Sequence, residues 1–147
     1  MAIKVGIEKG KLFGPRIYFV GPALGFEDTT ISTGVRNEAE VRKLIAHAAS
    51  FGVDGIKIQL PNLPAELLRV VVEDAHKRGL PVGIHVADDP TVMTAREAVE
   101  IGVDLLIHAG GMAFSMIQDQ GRRKRFLEEQ LPIREGGGDP WYLVTPA

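Results

Sequence analysis

The chain has 147 residues, 45% of them hydrophobic and 24% charged, the make-up of one ordinary domain able to bury about two-thirds of its unfolded surface. A formal net charge of -2 exerts no electrostatic pull on nucleic acid or an anionic membrane, so a small molecule is the expected partner. Without cysteine, disulfides and thiolate metal sites are excluded, and any metal must be held by nitrogen and oxygen.

The lack of cysteine agrees with a reducing cytoplasm, which is the expected location. No apolar run approaches the roughly 20 residues of a transmembrane helix, and the N-terminus has no signal-peptide core.

In chain order, Ile3 to Gly10 resembles the tail of a helix. Gly14-Pro15 turns into an expected strand over Arg16 to Val20, which Gly21-Pro22 stops. Asn37 to Phe51 is predicted helical: Asn37 can cap with Glu40, and Val41, Leu44, Ile45, Ala48 and Ala49 share one face. Pro64 to Arg78 is a second helix, with Leu67, Leu68, Val71 and Ala75 inward and His76, Lys77 and Arg78 at the negative end of its dipole. Asp89-Pro90 is expected to start a third, with Ala95, Ala98 and Val99 as its buried stripe. Residues 112 to 131 read as an irregular basic helix whose run Arg122 to Arg125 is a solvated face. Trp141 to Thr145 is a last expected strand, reached through Gly136-Gly137-Gly138.

Between these elements lie three segments with one grammar: Gly52 to Ile58, Gly79 to Val86 and Gly102 to Ala109. In each, a glycine closes a helix and a short aliphatic strand follows. Alternating helices and strands of this size imply parallel strands joined by right-handed crossovers. The count is about five strands, too few to close an eight-stranded barrel of about 250 residues. An open sheet and a piece of a barrel both fit; the helix tail at one end and the uncovered strand at the other favour a single domain over 1–147 that is a partial TIM barrel.

Strand alternation makes three polar residues conspicuous. Ile56 and Ile58 flank Lys57, Ile84 and Val86 flank His85, and Ile107 and Ala109 flank His108. In each case the aliphatic pair is expected to pack under helices while the polar residue faces the barrel axis near the C-terminal rim, where barrel enzymes do chemistry. The spacings of 28 and 23 residues are about one strand-helix unit each, so the three come from consecutive strands and should converge. Two imidazoles with one oxygen ligand suit Zn²⁺ or a similar divalent ion. A lysine buried beside cations loses its proton readily, and the neutral amine can take up carbon dioxide as a carbamate that binds metal like a carboxylate. A single inward histidine is more often a hydrogen-bonded core residue than a ligand, and the structural reading is preferred for His47 and His76, which lie on helices.

These residues resemble the amidohydrolase superfamily, in particular its imidazolonepropionase-like and Xaa-Pro dipeptidase-like branch. The resemblance runs through Gly14-Pro15-Arg16, Val20-Gly21-Pro22-Ala23, Gly52 to Ile58, Asp74 to Val82 and Ala98 to Gly110, and covers the central part of the barrel. It implies that Lys57 corresponds to the lysine often carboxylated between two metals and that His85 and His108 correspond to the next two histidine ligands. The implied reaction is attack of a metal-activated water on a carbonyl carbon, cleaving an amide or another carbon-nitrogen bond. A small-molecule or dipeptide-like substrate is implied.

The departures are specific. The family's first-strand His-x-His pair has no counterpart here, nor has its last-strand aspartate, and Ile107 stands where glutamate is frequent. The chain alone is therefore expected to be inactive. Two alternatives follow: a Schiff-base lyase using Lys57 as nucleophile, and a non-catalytic truncated barrel that self-associates through open sheet edges as a homo-oligomer.

Overall fold

A computed structural model describes residues 1–21, 23–25, 32–59, 63–85, 93–107 and 112–135. In chain order the elements are α1 (Ala2–Glu8), β1 (Ala23–Gly25), β2 (Ser32–Gly34), α2 (Glu38–Ser50), β3 (Ile56–Ile58), α3 (Ala65–Lys77), β4 (Val82–His85), α4 (Ala95–Ile101), β5 (Leu105–Ile107), α5 (Met112–Met116) and α6 (Gln120–Glu135). The strands form one parallel sheet in the order β2-β1-β3-β4-β5. From β3 to β5 each strand pairs with the next across a helix, as sequential strand-helix units require. No helix among the described residues is long and apolar enough to cross a membrane.

The expected helices form for the expected reasons, with local corrections. Asn37 caps α2 by accepting the Glu40 backbone N–H at 3.0 Å, and Val41 and Ile45 are fully buried. Leu68, Val71 and Ala75 of α3 are buried against the sheet, with Leu67 partly so. Helix α4 begins at Ala95, not at Asp89-Pro90, because Thr94 and Glu97 form a capping box there; residues 86–92 lie outside the described segments. Ala95 and Ala98 point inward, but Val99 is 55% exposed. The inward direction centres on Ala98, and Val99 stands about 100° round the helix from it.

The basic region is two helices, broken at 117–119. Arg122, Lys124 and Arg125 are solvated as expected. Arg123 is not: it stacks over Phe114, 5.4 Å from the ring centroid, and donates Nε–H to the Ile117 carbonyl at 2.6 Å.

Of the five expected strands, the three central ones are β3, β4 and β5, and Trp141 to Thr145 lies outside the described residues. The strand expected over Arg16 to Val20 is irregular backbone, and the paired strand is Ala23–Gly25, beyond the turn at Gly21. Strand β2 was not foreseen from the sequence.

One side of the sheet carries the core. Ile56, Ile58, Val82 and Ile84 pack with Val41, Ile45, Leu68, Val71 and Ala75 of the covering helices. Each such aliphatic side chain contributes about 1.5–3 kcal/mol on burial. The two helices are further tied by Asp74, itself 7% exposed, which accepts from Arg42 at 3.5 Å and Arg78 at 3.2 Å.

The starts of β3 and β5 share a device. The Asp54 carboxylate accepts the Phe19 N–H at 2.7 Å while the Asp54 N–H donates back to the Phe19 carbonyl at 2.7 Å. Asp104 repeats this with Val82, at 2.8 Å and 3.0 Å. Each carboxylate also takes a side chain from an earlier helix, Lys4 Nζ at 2.5 Å for Asp54 and His76 Nε2 at 2.8 Å for Asp104. The equivalence makes Phe19 the partner of Asp54 as Val82 is of Asp104, so the segment before Gly21 lies beside the sheet without joining its ladder.

Candidate functional site

Lys57 is held by its neighbours in β3. Ile56 and Ile58, 3% and 0% exposed, are drawn into the helix-covered core, and pleating then turns the half-buried Lys57 to the opposite face. Its Nζ donates to the Ile58 carbonyl at 2.7 Å. Burial holds the amine below the ordinary lysine pKa, because desolvation disfavours the charged form.

The ladder carries that face across the sheet. Lys57 pairs with Gly83, and Gly83 with Leu105; one step further along, His85 pairs with Ile107. Residues in register, and those two apart on one strand, share a face, so Lys57, Gly83, His85, Leu105 and Ile107 lie together. Lys57 and His85 are thus brought to the same face of neighbouring strands, as expected, with His85 the last residue of β4. His108 lies outside the described residues.

Ile107 differs from expectation. It lies on the Lys57 and His85 face, not under the helices, and it is Leu106 that packs against the core. The cause is the register: the Asp104–Val82 exchange sets Leu105 opposite Gly83 and so fixes which way each following side chain turns. Gly83 makes room for this. A Cβ there would meet Ile107 Cδ1 at 3.0 Å and Leu105 Cβ at 3.5 Å, so the absent side chain of Gly83 is replaced by the tip of Ile107.

Chemically, this face offers an amine whose pKa is lowered by burial, an imidazole, and aliphatic surface from Leu105 and Ile107. Among the described residues, no three His, Cys, Asp or Glu side chains group closely enough to hold a metal ion. The nitrogen donors that the described residues bring to this face are Lys57 and His85. Of the two other histidines, His76 bonds Asp104 at the strand starts, remote from Lys57 in the fold, and His47 sits edge-on to Phe51 with ring centroids 4.8 Å apart.

Sequence reasoning passed over Asp54 and Asp104 as acceptors. Their signal is the twice-used Gly-Val-Asp ahead of a strand, where a carboxylate can take the first N–H of the neighbouring strand.

No protein-family model matches the chain, and no curated protein matches it. Several solved structures are similar to it, two of which illustrate the likeness. An uncharacterised protein aligns with a TM-score of 0.55 and 22% identity, over 69% of this chain and 32% of its own. An amidohydrolase aligns with a TM-score of 0.51 and 19% identity, over 69% of this chain and 33% of its own. The chain spans about a third of the length of these structures. At such identity the likeness speaks for the fold alone, and with the parallel ladder and its helical crossovers it gives an α/β architecture consistent with part of a barrel.

Proposed function

We propose that the chain is part of a metal-dependent hydrolase acting on amide or other carbon-nitrogen bonds, with Lys57, His85 and His108 holding a divalent ion, zinc being the expected one. The observation that carries the reading is the placement of Lys57 and His85 on one face at neighbouring strands, with the lysine amine desolvated toward its neutral form. A neutral amine can be carboxylated, and the carbamate would provide the oxygen ligand that complements two imidazoles. A bound ion supplies, in this chemistry, an acidified water and polarisation of the scissile carbonyl.

The chain's own residues have separate tasks. His85 offers a ring nitrogen from the last position of β4, and Lys57 offers its amine from the middle of β3. Ile107 and Leu105 add aliphatic surface to the same face of the sheet. His108 follows Ile107 directly in the chain and lies outside the described residues. The chain alone is proposed to lack turnover, because its sequence supplies neither a His-x-His pair nor the last-strand aspartate.

Metal content after dialysis against zinc tests this. The proposal predicts about one ion per chain, lost in Lys57→Ala, His85→Ala and His108→Ala alike; ion content untouched by all three would reject it. Carboxylation is tested by a carbamate carbon resonance in ¹³C-bicarbonate, absent from Lys57→Ala.

A second reading has its own support. Among the described residues Lys57 has no carboxylate partner, its amine bonding only the Ile58 carbonyl, as suits a nucleophile that condenses with a carbonyl compound to an imine and water. Borohydride trapping of an aldehyde at Lys57 by a metal-free sample would favour this reading over the hydrolase.

A further inference from the structure

Away from the Lys57 face, α4 and α5 leave a groove of about 310 Å³ lined by Ala95, Val99, Leu106, Met112 and Met116, with Arg96 and Glu100 beside it. The apolar groups are open to solvent: Val99 is 55% exposed and Met116 75%. Arg96 and Glu100 are also exposed, and neither has a hydrogen-bond or ion-pair partner among the described residues. They stand four apart on α4, hence on one face and a turn from each other.

A helix face with a cation at one end, an anion a turn on and an apolar residue flanking the pair is complementary to its own reversed copy. A two-fold axis through the middle of α4 sets Arg96 of each copy against Glu100 of the other, with the two Val99 side chains meeting near the axis. Met112 and Met116, flexible and one turn apart on α5, are suited to fill the remaining space. We propose that this face is where the chain associates with a second copy of itself, in an isologous, two-fold arrangement.

The size of the patch sets the strength. Helix α4 has 7 residues and α5 has 5, so the area covered falls below the roughly 800 Å² per partner of a stable complex. The dimer is weak and reversible.

Sedimentation velocity on the full 147-residue chain, over about a hundredfold range of concentration, tests the proposal. The wild-type chain sediments faster as concentration rises. Arg96→Glu and Glu100→Arg each weaken association by about tenfold or more, because each sets like charges against one another. The double variant Arg96→Glu/Glu100→Arg restores it, since the exchanged charges still match under the two-fold, while Val99→Asp abolishes it. Unchanged circular dichroism keeps misfolding apart from lost contact. A wild-type chain that stays monomeric throughout overturns the proposal and leaves the groove to a different partner. Association that ignores the single exchanges, or that the double exchange fails to restore, overturns it equally.

Discussion

At the starts of β3 and β5, Asp54 and Asp104 join a strand, its neighbour and an earlier helix into closed hydrogen-bonded units; further along β3 and β4, Lys57 and His85 stand on a face with aliphatic neighbours and an amine whose charge is disfavoured. The contrast is one of what burial does to charge. Where a carboxylate accepts a backbone N–H and a cationic or imidazole group, its charged form is favoured and the structure gains. Where the Lys57 amine is desolvated with no carboxylate partner among the described residues, its charged form is disfavoured. One end ties strands and helices together, while at the other burial works against charge.

Substitutions can break this comparison, starting with the core both ends depend on. Leu68→Ala, at a fully buried position, is expected to lose about 2–5 kcal/mol in chemical denaturation. At the strand starts, Asp104→Ala orphans the N–H of fully buried Val82. An unsatisfied buried donor costs about 1–3 kcal/mol; the half-open carboxylate site, where water can substitute, places the loss near the lower figure. At the other end, His85→Ala should change stability by less than either, since a half-buried side chain at a strand terminus leaves no large cavity. A larger loss for His85→Ala than for Asp104→Ala would erase the distinction between the two ends.

The pH dependence sharpens it, because the two ends respond with opposite causes. Asp104 has its pKa lowered, first by the Val82 N–H and then by His76, and Asp54 has its pKa lowered by Lys4 and then the Phe19 N–H. A depressed carboxylate gives stability that is present above its unfolded pKa, about 3.9, and lost as pH falls through the folded value. Asp104→Asn should flatten the acid limb of a melting-temperature profile. Lys57 also has its pKa lowered, but by desolvation, so the unfolded chain binds the proton more tightly and stability rises as pH climbs from the folded toward the unfolded value. Lys57→Met should remove that alkaline rise, a smaller effect read in the same profiles.

Much of this architecture was legible in the residues. Gly52, Gly79 and Gly102, with φ of 69°, 70° and 105°, follow their helices as the repeated grammar predicts, and β3 shows its faces because Lys57 interrupts two isoleucines. The strand at β5 hid its faces for the opposite reason. Leu105-Leu106-Ile107 is aliphatic throughout, as parallel strands covered on both sides tend to be, and periodicity cannot say which side Ile107 takes. Only the register set by Asp104 and Val82 decides it, and that is a contact between distant residues. The misplaced first strand has a similar origin: Arg16 to Val20 has strand-like composition, but pairing resumes only past Gly21, where the backbone turns through φ 70°. Val99 was read inward because its spacing from Ala95 suits a helix stripe, while packing centred that stripe on Ala98.

The claim that Lys57, His85 and His108 share one ion is tested most directly by anomalous diffraction at the zinc edge from crystals grown with zinc. One strong peak within bonding distance of all three side chains is the expected result. A peak at His76 and Asp104 instead, or none near Lys57, would contradict it.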